Sequence, residues 1–78
     1  MSVVTTPTTV DARGLACPMP IVKAAQWARG AESGQLMELV ATDIGSLKDV
    51  PAWCRQTGNE LVEQRTEDGI QHFLIRRV

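Results

Sequence analysis

The sequence is poor in the residues that metal sites, disulfide frameworks and nucleic-acid-binding surfaces need. Its 78 residues include two cysteines and one histidine, and their spacing matches no common set of metal ligands. Secreted domains of this size usually carry more cysteines. Eight basic residues against nine acidic ones leave a net charge of −1, which gives no field for binding nucleic acid. We therefore expect no metal site and no direct nucleic-acid binding.

Long apolar runs are also missing. No segment approaches membrane-spanning length, and no charged-then-apolar leader opens the chain. We expect a cytoplasmic protein with reduced thiols and no membrane partner. A chain this short buries about 60–65% of its unfolded surface, which leaves no room for both a core and a deep pocket. An enzyme that encloses its substrate is therefore disfavoured, whereas an exposed reactive group is easily accommodated.

The most informative stretch is Gly14 to Pro20, which reads Gly-Leu-Ala-Cys-Pro-Met-Pro. It joins a short alternating run to an apolar segment with helical spacing. This pattern predicts Cys17 at the N-cap of a helix, with Pro18 at the first helical position. Since Pro18 and Pro20 have no N–H, the amide of Met19 is expected to be the one well-placed donor near the sulfur.

The position of Cys17 predicts a moderately acidified thiol. A helix end stabilises a nearby anion by roughly 0.3–1 kcal/mol, and one pKa unit is about 1.4 kcal/mol, so the dipole lowers the thiol pKa by less than about one unit. Such a thiol suits sulfur transfer, which is fastest when the thiol pKa lies near ambient pH. The alternative is a small buried cysteine that only fills space. The rigid Pro-x-Pro turn favours the reactive thiol.

The hydrophobic pattern predicts a parallel β-α-β unit after a polar start. Residues 1–8 are rich in Ser and Thr and are predicted to be a mobile N-terminal tail, with a single domain over residues 9–78. Within that domain we expect a strand over 9–12, a helix over about 18–30 and a buried strand over 36–42. Two strands joined by a helix imply a right-handed parallel crossover.

Two charged residues follow the predicted parallel strands. Because sites gather at the carboxyl ends of such strands, Arg13 and Asp43 are expected to flank Cys17. Arg13 either stabilises a thiolate or persulfide anion or lies on the surface. Asp43 is expected to hold the loop near Cys17 by bonding backbone amides, although a carboxylate too close to the sulfur would raise its pKa.

The second half of the chain predicts a helix and a hairpin. Residues 46–49 resemble a capping box with Asp in place of Glu. Because of Pro51, we expect a loose first turn and regular helix from about Val50, ended by Gly58. The pair Asp68-Gly69 predicts a tight hairpin between two strands.

Other polar and charged residues leave alternatives open. Cys54 is expected in the core, the alternative being a resolving thiol that forms a disulfide with Cys17. His72 is expected to be a solvated strand residue. Four basic residues form either a docking surface or an ordinary solvated face: Lys23, Arg29, Arg76 and Arg77.

Residues 11–21, Asp-Ala-Arg-Gly-Leu-Ala-Cys-Pro-Met-Pro-Ile, resemble the signature of the TusA/SirA-like sulfur carriers, in which Cys-Pro-x-Pro opens the first helix. The similarity covers about residues 9–78. One difference is Ile44, where the family often has proline after the aspartate. The supporting matches downstream are Ala41-Thr42-Asp43, Ser46, Trp53-Cys54 and the stretch 57–61.

The resemblance implies an α/β fold: a βαβαββ two-layer sandwich with a four-stranded mixed sheet and both helices on one face. It also implies that Cys17 carries sulfane sulfur as a persulfide, without any cofactor, and that Pro18 and Pro20 shape its turn. Such a monomeric carrier receives sulfur from a cysteine desulfurase or a rhodanese-type donor and delivers it to a reactive cysteine of an acceptor protein. It is a covalent carrier rather than an independent turnover enzyme.

Three pathways fit the resemblance: transfer-RNA 2-thiolation, molybdenum-cofactor maturation and sulfur oxidation. Two rival functions stay open at this point. One is a thiol–disulfide switch that uses Cys17 and Cys54. The other is a non-catalytic interaction module in which Cys17 is structural.

Overall fold

The fold alternates strands and helices and ends in a hairpin. The computed structural model describes residues 6–78, so most of the predicted tail lies outside the described residues. The order βαβαββ confirms the expected one. The first strand begins at Thr8, one residue before its predicted start. The six elements are β1 (Thr8–Ala12), α1 (Met19–Gly30), β2 (Leu36–Ala41), α2 (Ser46–Thr57), β3 (Glu60–Glu67) and β4 (Ile70–Arg76).

The four strands form one mixed sheet in the order β1-β2-β4-β3. β1 and β2 are parallel, as the predicted crossover requires. β4 lies antiparallel to both β2 and β3. Both helices follow a parallel strand directly, so the starts of α1 and α2 lie at the same edge of the sheet. This edge is where the candidate site is found.

The core lies between the helices and one face of the two central strands. Alternate side chains of β2 and β4 are fully buried, because successive residues of a strand point to opposite faces. The apolar segment with helical spacing packs small side chains of α1 against the core, with Ala24 buried and Ala25 and Ala28 in contact with core residues. Burying each large side chain contributes about 1.5–3 kcal/mol. The largest fully buried hydrophobic side chains are Phe73, Met37, Leu39, Ile75 and Val50.

The hairpin and the end of α2 are as predicted. Asp68 and Gly69 have φ values of 51° and 76°, and two positive φ values are what a two-residue type I′ hairpin turn requires. At the end of α2, Gly58 has a φ of 79° and its N–H donates to the carbonyl of Cys54 over 2.9 Å. Local turn chemistry therefore sets both of these features.

The start of α2 differs from the prediction. The helix begins at Ser46 with Gly45 as its N-cap, so the expected capping box is wrong. The Ser46 side chain is buried, and its hydroxyl oxygen has no hydrogen-bond partner within residues 6–78. The first turn is not loose, because the N–H groups of Lys48 and Asp49 both donate to the Gly45 carbonyl. Pro51 lies inside this helix.

None of the helices within residues 6–78 combines the length and the apolar character needed to cross a membrane.

Candidate functional site

Cys17 lies in the loop between β1 and α1, just before the helix rather than at its cap. Pro18 is the N-cap and α1 begins at Met19, one residue later than predicted. The Pro18 carbonyl accepts the first helical hydrogen bond, from the N–H of Val22 over 3.0 Å. The backbone of Pro18, with φ −95° and ψ 14°, is not helical, which moves the start of α1. The peptide bond between Cys17 and Pro18 is cis.

The predicted donor to the sulfur has another partner. The N–H of Met19 donates to the carbonyl of Ala16 over 3.0 Å, closing a tight turn around Cys17. The prediction that Met19 donates to the sulfur is therefore wrong, because the N–H of Met19 is already bonded to the Ala16 carbonyl within the turn. Pro20 is fully buried and anchors the turn against the fold, whereas the Met19 side chain is 44% exposed.

The half-buried Cys17 thiol contacts a carboxylate from the other helix. Its Sγ donates a hydrogen bond to Oδ2 of Asp49 over 2.7 Å. The Asp49 carboxylate, with burial and the carboxylate of Asp43 as further causes, raises the pKa of Cys17 to about 12. The predicted acidification is wrong, because a full negative charge in contact with the sulfur outweighs the roughly half charge of a helix end.

Asp43 acts on the loop as predicted. Its Oδ2 accepts a hydrogen bond from the N–H of Gly45 over 3.0 Å. Its backbone carbonyl accepts another from the Gln71 side chain over 2.9 Å, which ties the loop to β4. Asp43 therefore fixes the loop, and it adds negative charge beside the Cys17 thiol.

Gly45 allows the sulfur and the Asp43 carboxylate to approach the same point of the backbone. A Cβ atom at Gly45 would lie 2.8 Å from Oδ2 of Asp43 and 3.1 Å from Sγ of Cys17. Its φ of −61° is an ordinary helical value. Space, and not backbone conformation, is therefore the reason for a glycine here.

Arg13 directs its charge at a neighbour rather than at the sulfur. Its Nε and Nη2 donate to the two carboxylate oxygens of Asp11, each over 2.9 Å. The Arg13 guanidinium and backbone N–H lower the pKa of Asp11 to about 2. The expectation that Arg13 flanks Cys17 as an electropositive group therefore does not agree with its contacts. Two residues of separation along the chain make the pair with Asp11 easy to form.

Sequence reasoning missed Asp49 as a contact of Cys17. The residue was interpreted as part of a capping box, and it lies 32 positions away from Cys17. A signal was nevertheless present, since both helices follow parallel strands and their starts must meet at one sheet edge. Polar residues in the first turn of α2 could have been tested as neighbours of Cys17 on that ground.

Cys54 is a core residue, as predicted. It is 3% exposed, and burial raises its pKa to about 11. Both cysteines are free thiols. The structure thus separates a half-buried sulfur at the sheet edge from one sealed in the core.

The placement of His72 differs from the prediction, and the basic residues Arg76 and Arg77 have defined partners. The His72 side chain is only 19% exposed, and its Nδ1 lies 3.1 Å from Oε2 of Glu38. His72 is therefore not a solvated residue. Arg76 pairs with Glu60, whereas Nε of Arg77 donates to the carbonyl of Ala28 in α1. Adjacent residues of an extended chain point to opposite sides, so Arg76 and Arg77 do not belong to one surface, whereas Arg29 and Arg77 line the same cavity.

A shallow cavity of about 250 Å³ lies against the Cys17 loop and is lined by Gly14, Leu15, Ala16, Thr42 and Asp43. Over the described range 6–78, no group of three or more His, Cys, Asp or Glu side chains is arranged to hold a metal ion. The chemistry available at this edge is therefore that of one thiol with two carboxylates beside it.

Comparison with known proteins gives a consistent result. The family model described as Sulfurtransferase TusA matches residues 8–77. The chain is 48% identical over 68 residues to the sulfur carrier protein TusA of Allochromatium vinosum. The aligned residues cover 87% of this chain and 90% of that protein. It is 46% identical over 68 residues to YrkI of Bacillus subtilis, a provisionally named sulfur carrier protein, covering 87% of this chain and 91% of YrkI.

A solved structure has the same fold. The crystal structure of the SirA-like protein from Desulfitobacterium hafniense superposes with a TM-score of 0.76, covering 88% of this chain and 95% of that one at 22% identity. This agreement concerns the fold, and the family model and the relatives, which extend over most of the chain, identify the family. The chain belongs to the TusA family of sulfurtransferases.

Proposed function

We propose that the protein is a sulfur carrier that accepts sulfane sulfur as a persulfide on Cys17 and passes it to a cysteine of an acceptor protein. The observation that carries this proposal is the half-buried Cys17 at the sheet edge, in a chain closely similar to a sulfur carrier protein over 87% of its length. The other thiol, Cys54, is buried in the core. One accessible thiol is all that a covalent relay needs.

Loading requires no oxidant and no cofactor. The Cys17 sulfur, as a thiolate, attacks the outer sulfur of a persulfide R–S–SH on the donor. The new Sγ–S bond forms while the S–S bond of the donor breaks, and the electron pair leaves on the donor sulfur. The proton lost from Cys17 returns to that sulfur, so Cys17–SH and R–S–SH become Cys17–S–SH and R–SH.

Delivery is the same exchange in the opposite direction. A thiolate of the acceptor attacks the outer sulfur of Cys17–S–SH, and the electron pair of the broken bond returns to Sγ of Cys17. Oxidation states balance within each step. Neither step needs an enclosed pocket, which agrees with the shallow cavity beside the loop.

The partners follow from this chemistry. The donor is a protein that carries its own persulfide, either a cysteine desulfurase or a rhodanese-type sulfurtransferase, and the acceptor has a reactive cysteine. Four side chains in the first turns of the two helices and in the loop before α2 are large, apolar and partly exposed, as a surface visited by successive partners would be. They are Met19, Val22, Ile44 and Leu47, exposed by 44%, 37%, 82% and 40%.

Three pathways remain compatible with the proposal: transfer-RNA 2-thiolation, molybdenum-cofactor maturation and sulfur oxidation. Cross-linking Cys17 to the cysteine of its docked acceptor with a bifunctional thiol reagent, followed by mass identification of the acceptor, distinguishes them. A carrier of the first pathway is expected to be linked to a protein of transfer-RNA modification. A carrier of the second or third is expected to be linked to a protein of molybdenum-cofactor maturation or of sulfur oxidation.

The test of the proposal is a measurement of intact mass. The protein is incubated with a cysteine desulfurase and cysteine, or with inorganic polysulfide alone. We expect the wild type and Cys54→Ser to gain the mass of one sulfur atom, and Cys17→Ser to gain none. A wild type that gains no sulfur, or a Cys17→Ser variant that still gains it, contradicts the proposal.

The same variants separate the rival functions. A thiol–disulfide switch predicts a loss of two hydrogens on mild oxidation and loss of function in Cys54→Ser. An interaction module predicts that Cys17→Ser keeps its partner and its function. The burial of Cys54 argues against the switch, because a resolving thiol must reach its partner sulfur.

A further inference from the structure

One carboxylate contacts the sulfur atom on which the proposed function depends. Sγ of Cys17 donates to Oδ2 of Asp49 over 2.7 Å, across 32 residues of sequence. A thiol donates this bond only while it is protonated, whereas a thiolate at the same place would face a negative charge. The contact therefore favours one protonation state of Cys17.

The surrounding charges reinforce that preference. Asp43 places a second carboxylate at the same point of the backbone, where Gly45 leaves room for both its oxygen and the Cys17 sulfur. The two basic residues nearest to Cys17 along the chain are bonded to other groups. Arg13, after β1, pairs with Asp11, and Lys23 of α1 donates to the carbonyl of Asp11.

We propose that Asp49 sets the reactivity of Cys17 by holding the unloaded sulfur as a thiol. The biological meaning of this proposal rests on the proposed function, whereas the contact between Cys17 and Asp49 is observed independently of it. It stands on the short Sγ–Oδ2 distance and on the space at Gly45. The pKa of Cys17, raised first of all by Asp49, agrees with it.

Formation of the persulfide removes the hydrogen bond between Cys17 and Asp49. In Cys17–S–SH the Sγ atom is bonded to carbon and to the second sulfur, so it has no hydrogen to donate. The bond to Asp49 therefore exists only in the unloaded carrier. An unloaded carrier that is held as a thiol reacts slowly with chance oxidants and alkylating agents, since the thiolate is the nucleophile.

The test compares the alkylation of Cys17 in the wild type and in Asp49→Asn. The rate of iodoacetamide labelling is measured against pH on the folded protein, with the adduct located by peptide mass. The amide carries no charge, so the labelling profile shifts to lower pH. At about pH 8 we expect the rate to rise by roughly tenfold, because the larger thiolate fraction outweighs the lower nucleophilicity of a more acidic thiol.

Two further variants make the result specific. Glu32→Gln removes one negative charge beyond the far end of α1, roughly 18 Å from the start of that helix at 1.5 Å per residue, and it is expected to label within twofold of the wild type. Asp49→Ala removes the carboxylate without adding an amide, and it is expected to label faster in the same direction. Each variant is first shown to have a cooperative thermal transition.

An Asp49→Asn profile that overlays the wild type, or a slower rate in both Asp49 variants, overturns the proposal. An equal acceleration in Glu32→Gln overturns it as well, because the effect would then come from net charge. Labelling needs no sulfur donor. A carrier that gains no sulfur therefore refutes the proposed function alone, and an unchanged labelling profile refutes the role of Asp49 alone.

Discussion

The two cysteines of this chain have the same direction of pKa shift for different reasons. The pKa of Cys17 is raised to about 12, first by its contact with the Asp49 carboxylate. The pKa of Cys54 is raised to about 11, first by burial. One sulfur is half-buried at the sheet edge, and the other is 3% exposed inside the core.

The difference teaches that a weakly acidic thiol can be either restrained or inert. The restraint on Cys17 is one side chain in contact, which a substitution or a docked partner can change. The restraint on Cys54 is the packed interior, which only unfolding removes. Position in the fold, and not the pKa alone, therefore decides which of the two sulfurs can do chemistry.

The largest expected difference between the two cysteines is in labelling. Iodoacetamide should modify Cys17 at least roughly a hundredfold faster than Cys54 in the folded protein, because Cys54 reacts only through opening of a domain several kcal/mol stable. Trypsin releases the two thiols on separate peptides, residues 14–23 and 49–55, so each rate is read by mass. In denaturant the two rates should agree within a few-fold, and similar rates in the folded state would contradict the contrast.

Substitution should affect the stability of the fold more at Cys54 than at Cys17, the reverse of their order in labelling rate. Cys54→Ser places a hydroxyl in the core and is expected to cost about 1–3 kcal/mol. At this chain length each kcal/mol lowers Tm by roughly 4–8 °C. Cys17→Ser is expected to stay within about 0.5 kcal/mol of the wild type, because Cys17 is only half-buried and a serine hydroxyl keeps a donor for the Asp49 carboxylate. Urea unfolding of both variants measures this, and a larger loss in Cys17→Ser would mean that Cys17 is structural.

The close packing around Cys17 can be tested at Gly45. Gly45→Ala is expected to destabilise the fold by about 1 kcal/mol, because an extra methyl group in a filled space costs roughly 1–3 kcal/mol. Gly30→Ala is the matched control: a Cβ there has nothing within 4 Å, and alanine at a compatible helical position gains about 0.5 kcal/mol. Urea unfolding that shows equal shifts in both variants would contradict the close approach of Asp43 and Cys17.

The last comparison between the two cysteines concerns the dependence of stability on alkaline pH. Both thiols keep their protons to higher pH in the folded state than the ordinary value of 9.0. Their contribution is therefore fully present below about pH 9 and is lost as pH rises toward about 12 for Cys17 and 11 for Cys54. Cys17→Ser should flatten the fall in unfolding free energy above pH 9, and curves that run parallel to the wild type would contradict the raised pKa of Cys17.

Much of the fold was predictable because its signals are local. The nearly continuous apolar run of β2, the helical spacing of apolar residues in α1 and the Asp68-Gly69 turn each depend on residues close in sequence. The family resemblance added the order of the elements. The start of α2 was predicted wrongly, because the Ser46 side chain is buried instead of capping the helix.

The candidate site was predictable in its position and not in its electrostatics. The Cys-Pro-x-Pro stretch indicated Cys17, and the position of Asp43 after the carboxyl end of a parallel strand indicated Asp43. The charge at the sulfur depends on which side chains fold onto it from elsewhere. Arg13 pairs with Asp11 two residues away, whereas Asp49 contacts the sulfur from the first turn of α2. The sequence indicates that the starts of the two helices meet at one sheet edge, and it does not indicate which side chain there contacts the sulfur.

The most direct test of the account is to find where sulfur is carried after exposure to a desulfurase and cysteine. The protein is trapped with an alkylating agent, cleaved with trypsin and measured by mass. The account predicts one added sulfur on the peptide of residues 14–23, which holds Cys17, and none on the peptide of residues 49–55, which holds Cys54. Added sulfur on the second peptide, or on neither, would contradict it.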